Sequence, residues 1–206
     1  MRRLRLALFV AVTTLVTLAL AVGTYVRSTG LVARADPGRT EVRLARTVRS
    51  LAIPGDARDR TNPVAGTPAI LAAGRAHYAD HCAVCHGADG RGKTEMGQGL
   101  WPKTPDMRLD DTQGLSDGEL FWIIENGIRF TGMPGWSTGT AEGEDATWHL
   151  VHFIRSLPRL GEAEIEEIGA LMPRAPAEIR REIEAERFLA GENPPPAPAD
   201  APAHVH

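Results

Sequence analysis

Only two of the 206 residues are cysteine, and Cys82 and Cys85 stand three positions apart with His86 directly behind them. This spacing excludes a long-range disulfide. A C-x-x-C pair alone has other uses, as a redox dithiol or as half of a zinc site. Zinc needs two further soft ligands, and the chain has no third cysteine. A thioredoxin-like dithiol needs a βαβ setting, and no convincing strand pattern or internal repeat is present. The full run Cys82-Ala83-Val84-Cys85-His86 reads instead as a haem attachment sequence, C-x-x-C-H. Two thiols one turn apart add across the two vinyl groups, and the histidine behind them meets the iron from the same side as its fifth ligand. The implied cofactor is one covalent haem c.

A second feature places that site. After Arg2, Arg3 and Arg5, the 21 residues from Leu6 to Val26 carry no charge. As a helix they span about 30 Å, one hydrocarbon core. The flanking arginines hold the N-terminus in the cytoplasm and export the chain beyond Arg27. Ala19-Leu20-Ala21 also resembles a signal-peptidase site, so residues 1–27 read as a transmembrane anchor or a signal peptide. Both readings put the rest of the chain outside the cytoplasm, which in a bacterium means the periplasm.

Charge is divided along the chain. Residues 1–67 carry 11 Lys+Arg against 4 Asp+Glu, residues 68–158 carry 7 against 12, and residues 159–206 carry 5 against 10. The basic part lacks interleaved aromatics, so nucleic acid is not an expected partner. Residues 28–67 read as a linker, with a short basic helix over Thr40 to Ile53 and Leu44, Val48 and Leu51 on one face. That helix has two candidate resting places, anionic lipid and the acidic domain.

The remaining periodicity is helical throughout, and the fold class is all-α. Pro68 to His81 predicts a helix with Ile70, Gly74 and Tyr78 at four-residue spacing. A glycine-rich loop comes next, from Gly87 to Gly99, and Pro102 and Pro105 bar a regular helix from Leu100 to Asp111. Ser116-Asp117-Gly118-Glu119 is a capping box for a helix that stops at Asn126-Gly127. Another helix runs from about Glu144 to Leu157. Beyond the 68–158 unit, residues 159–191 predict two charged helices, Glu162 to Met172 and Pro176 to Ala190, with narrow apolar stripes suited to docking on the domain or on a partner. Residues 192–206 are Pro/Ala-rich and read as disordered.

In order and spacing, these fragments resemble the class I c-type cytochromes, in particular small membrane-anchored members with one haem. The resemblance covers about residues 62–158. It rests on Gly74 and Tyr78, on the attachment run through His86-Gly87-Ala88-Asp89-Gly90, on Asn126-Gly127-Ile128-Arg129, on Thr131-Gly132-Met133-Pro134-Gly135-Trp136, and on the helix Trp148 to Leu157. It implies the class I cytochrome c fold wrapped around the haem, with Met133 as the sixth iron ligand. A thioether opposite the imidazole of His86 implies a raised reduction potential and an iron closed to outside ligands. Met107 and Met96 are spare candidates close behind His86, and His149 with His152 offers a bis-histidine alternative. His77 and His81 read as solvated, and His204 with His206 as a weak metal site in the tail. By the same resemblance, a backbone carbonyl near Pro102 or Pro105 accepts from the second ring nitrogen of His86. Gly74, Tyr78, Trp148 and Phe153 should join the first and last helices.

These features together imply an electron carrier rather than an enzyme, held at the outer face of the cytoplasmic membrane by a single span and serving redox partner proteins. The alternative is a cytochrome c subunit of a membrane-associated oxidoreductase. A haem gas sensor or peroxidase would require an open iron position.

Overall fold

Proline at the first position and Thr67 as cap open the helix that leads to the cysteines. The Thr67 hydroxyl accepts from the Ile70 amide, which offsets one of the free donors at a helix start. The structure, a computed structural model, describes residues 2–30, 32–174 and 176–191. The long elements are α1 (Arg2–Thr29), α2 (Arg39–Ala52), α3 (Pro68–His77), α4 (Asp117–Asn126), α5 (Ala141–Ser156), α6 (Glu162–Leu171) and α7 (Pro176–Leu189). Short helical turns fall at Gly55–Arg58, Ala83–His86, Glu95–Gly99 and Asp110–Gln113. No strand occurs among the described residues, so the chain is all-α.

α1 is apolar and long enough to cross a membrane, at about 42 Å. None of its residues is buried against the rest of the chain. The core lies elsewhere, where α3, α4 and α5 meet. α3 and α5 make the most extensive contact in the fold. Gly74 is the reason: a Cβ there would press on the His149 carbonyl and stand 3.0 Å from the Phe153 Cβ. One turn on, the Tyr78 and Phe153 rings pack with centroids 4.9 Å apart. Trp148 ties α5 to α4 as well, stacked on Phe121 at 4.2 Å.

α4 begins with the capping box that its sequence spells. The Ser116 hydroxyl accepts from the Glu119 amide at 3.1 Å, and the Glu119 carboxylate accepts from the Ser116 amide at 2.8 Å. It ends at Gly127, whose φ of +67° suits a residue without a Cβ. α5 starts three residues earlier than its apolar pattern does, because Thr140 caps it through the Gly143 amide.

Three regions depart from the sequence reading. The helix predicted over Pro68 to His81 is α-helical only to His77 and then widens into a π-helical turn, Tyr78–Cys82. The loop from Gly87 to Gly99 contains the helical turn Glu95–Gly99, capped by Thr94. The stretch read as linker packs on the core from Ile53 onward. Ile53 and Ala57 are buried, and the Arg60 guanidinium lies 4.2 Å over the Phe121 ring. The Asn62 amide donates to the Trp148 carbonyl at 3.0 Å, and the His152 ring bonds the Val64 carbonyl at 2.7 Å. Most of these contacts use backbone carbonyls, which leave no periodic trace in a sequence.

Of the two charged helices beyond Pro158, α6 docks on its own domain. Ile168 is fully buried in the core, and Arg75 of α3 pairs with Glu167 at 2.8 Å. α7 leaves Ile179, Ile183, Phe188 and Leu189 exposed. The stretch 192–206, read as a disordered tail with His204 and His206, lies outside the described residues.

Candidate cofactor site

The attachment sequence occupies the π-helical turn and the helical turn after it. Cys82 closes the first, and Cys85 and His86 lie in the second. The main-chain carbonyls that end this stretch are each taken. The Cys85 carbonyl accepts from the Thr94 hydroxyl at 3.0 Å, the His86 carbonyl from the Gly92 amide at 2.7 Å, and the Gly87 carbonyl from the Tyr78 hydroxyl at 2.7 Å. With its backbone fixed in this way, the turn holds its side chains in place.

Both thiols are free and half-buried. Burial pushes the Cys82 thiol up to about 12, with Cys85 adding to the effect, and burial raises Cys85 too. A reactive dithiol needs the opposite shift, because only the thiolate attacks. The pair is therefore poorly suited to disulfide exchange. Burial also holds His86 down at about 4, so its imidazole is neutral and able to donate a lone pair to a metal. Its Nδ1 is buried and has no hydrogen-bond partner. An unpartnered buried polar atom costs about 1–3 kcal/mol, a loss that only a partner at Nδ1 itself recovers. The residues present fit a haem.

The acceptor expected near Pro102 or Pro105 is not engaged by His86. The carbonyls of Thr104 and Pro105 crowd Gly92 instead, the latter 2.9 Å from where a Cβ would stand there. This proline loop is thus pinned to the residues after the attachment turn, not to the histidine ring.

Next to the cysteines lies an open cleft of about 520 Å³, lined by Val84, Thr94, Glu95, Met96, Gly99 and Leu100. That is within the size range of cofactor clefts. Leu100 connects it to the Met133 loop, because a Cβ on Gly132 would stand 2.6 Å from the Leu100 side chain. The loop itself hangs from the end of α4. The Ile128 amide donates to the Met133 carbonyl at 3.1 Å, and the Trp136 amide donates to the Ile124 carbonyl at 2.9 Å. Met133 is half-buried and its amide donates to the Thr131 hydroxyl at 3.1 Å. Phe130, at the tip, has a φ of +63° and is 92% exposed, an unusual conformation for a residue with a side chain.

A second contact joins this loop to the cysteine turn, and the sequence reading missed it. His81, the residue before Cys82, stacks on Trp136 with ring centroids 5.1 Å apart and planes 20° from parallel. His81 also meets His77 edge-on at 4.9 Å. Partial burial lowers the pKa of His77, and charges on His81 and His149 reinforce this. The reading of His77 as solvated is therefore corrected: its ring is half-buried between α3 and its neighbours. A histidine that meets a tryptophan in space but lies far from it along the chain gives no signal in the sequence.

The spare ligands differ in their settings. Met107 is a buried core residue, Met96 is an exposed wall of the cleft, and His152 is engaged by the Val64 carbonyl. Among the described residues no group of three or more His, Cys, Asp or Glu side chains is arranged around a metal.

Residues 69–154 match the family model described as cytochrome c oxidase, cbb3-type, subunit III. The match starts one residue into α3 and ends within α5, under half of the chain. No curated protein matches the chain.

Proposed function

We propose, taking residues 69–154 as the c-type cytochrome domain they match, that the chain carries single electrons at the outer, periplasmic face of a membrane. In this reading Cys82 and Cys85 hold one haem covalently, His86 and Met133 are its axial ligands, and α1 is the anchor. The observation that carries the reading is His86: neutral, with an unpartnered buried nitrogen, on a turn whose two thiols are unsuited to redox exchange. When bound, haem iron supplies a one-electron couple. The protein's own part is positional. Thr94, Gly92 and Tyr78 fix the turn that aims His86. The α4 end and Leu100 fix the loop that offers Met133.

The family description favours a second reading, the cytochrome subunit of a membrane-bound oxidoreductase. Within it, α7 is the free docking element, since α6 is already seated on the domain.

The test of the ligand set is a near-infrared spectrum of the oxidised, haem-loaded protein. An iron–thioether charge-transfer band should be present and should vanish in Met133→Ala. Its survival in that variant assigns the sixth position to another residue. Haem that leaves the polypeptide in acidified acetone would refute covalent attachment.

A further inference from the structure

α2 has two unlike faces. Leu44, Val48 and Leu51 recur at four- and three-residue spacing, which places them in one stripe. They are 65%, 56% and 79% exposed. Arg46 lies about 180° round the helix from the centre of that stripe. It pairs with the Asp111 carboxylate, and Arg49 donates to the Asp111 carbonyl at 3.4 Å. Val42 and Arg49 are half-buried on this side. The basic face is therefore turned to the domain, and the apolar stripe is turned away from it.

The chain itself says what meets the stripe. α1 ends at Thr29 and α2 begins at Arg39. Nine residues lie between, a reach of about 30 Å when fully extended. Part of that reach is used up, because the Lys103 ammonium donates to the Arg34 carbonyl at 3.0 Å. α2 is thus confined to the neighbourhood of the point where α1 leaves the hydrocarbon. Residues 27–49 hold six arginines against two acids, a composition drawn to anionic lipid. Among the described residues, Arg39 and Arg43 are in no ion pair.

We propose that α2 lies in the headgroup region of the bilayer that α1 spans. Leu44, Val48 and Leu51 face the acyl boundary, and Arg43, nearest of the arginines to that stripe, reaches the anionic headgroups. Arg46 and Arg49 hold the haem domain from above through Asp111. α2 is then a foot that sets how the domain stands on the membrane. This inference rests on α1 as the anchor and not on the axial ligands.

The test uses the full chain matured with haem and reconstituted in phosphatidylcholine vesicles that contain phosphatidylglycerol. A nitroxide is attached after maturation to Val48→Cys and, separately, to Ser50→Cys on the opposite side. Collisions with oxygen, which concentrates in lipid, are compared with collisions with a water-soluble nickel chelate. The label at position 48 should favour oxygen and the label at position 50 should favour nickel. In the Leu44→Ser, Leu51→Ser background the label at 48 should lose its oxygen preference. Equal access of nickel to both positions overturns the proposal, because the stripe then faces water. Exclusion of both reagents at position 48 also overturns it, because protein, such as a second copy, then covers the stripe. The haem absorbance of the same samples reports separately on the cofactor reading.

Discussion

The hydroxyl of Tyr78 donates to the carbonyl of Gly87 across 2.7 Å, and the residue that carries it is wholly buried. The bond spans the attachment sequence, from the residue that opens the π-helical turn to the one after His86. Tyr78→Phe removes one of the two donors to that carbonyl, leaving the Gly90 amide at 3.1 Å, and should cost about 0.5–1.5 kcal/mol. Denaturant titration measures the loss. The axial-ligand bands should keep their positions, since the histidine ring itself is untouched.

Tyr78 also sets a limit at high pH. Burial holds its phenol well above the ordinary value of 10.0, and the Asp89 carboxylate adds to the shift. The folded state thus keeps the proton that the unfolded state releases. The stabilising contribution is fully present below pH 10.0 and is lost progressively as pH rises beyond it. Unfolding free energy should therefore fall steeply above that pH. In Tyr78→Phe the fall should be shallower.

Gly74→Ala drives a methyl group into the His149 carbonyl at the crossing of α3 and α5. Backbone cannot yield as a side chain can, so the helices must part. Overpacking of this kind costs about 1–3 kcal/mol. A lowered Tm in the haem-loaded protein checks it, and an unchanged Tm would show that the helices separate freely.

The stack of His81 on Trp136 bears on the Met133 loop. Trp136→Ala removes one of its two attachments to the cysteine side of the site, leaving the Leu100 contact. If Met133 ligates iron, imidazole added to the oxidised protein should displace it at lower concentration in the variant. A spectral titration reads this directly. Equal titrations in variant and parent would show that Leu100 and the end of α4 hold the loop unaided.

Truncation after Met172 separates the two functional readings. Ile168 belongs to the core, so the cut must spare α6. A free carrier should keep its rate of reduction by a small-molecule donor and its turnover with membranes. A subunit should keep the first and disappear from its complex on a sizing column.

The parts of this molecule that side chains announce were legible from the sequence. The Ser116–Glu119 box, the Gly74 and Tyr78 spacing and the break at Gly127 all appear where their chemistry puts them. Contacts made through main-chain oxygen were not. Residues 53–66 read as spacer because they are held through main-chain oxygen rather than by an apolar stripe: Asn62 donates to the Trp148 carbonyl, the Arg58 carbonyl accepts from the Ser116 hydroxyl, and the Val64 carbonyl bonds the His152 ring. The His81–Trp136 stack joins residues far apart in sequence, and neither residue type marks such a pairing. The absence of a carbonyl partner for His86 shows the converse: two prolines bound a loop without fixing which way its oxygens turn.

The widened turn Tyr78–Cys82 uncouples two angular settings that a regular helix would lock together. A π-helical turn accommodates one additional residue, and each residue is worth about 100° of rotation. Upstream, Gly74 and Tyr78 keep the orientation that mates with α5; downstream, the cysteines and histidine point along a different azimuth. Excision of a single residue here would restore regular winding yet swing the whole sulfur–imidazole group about a quarter-turn round the helix axis relative to Gly74 and Tyr78.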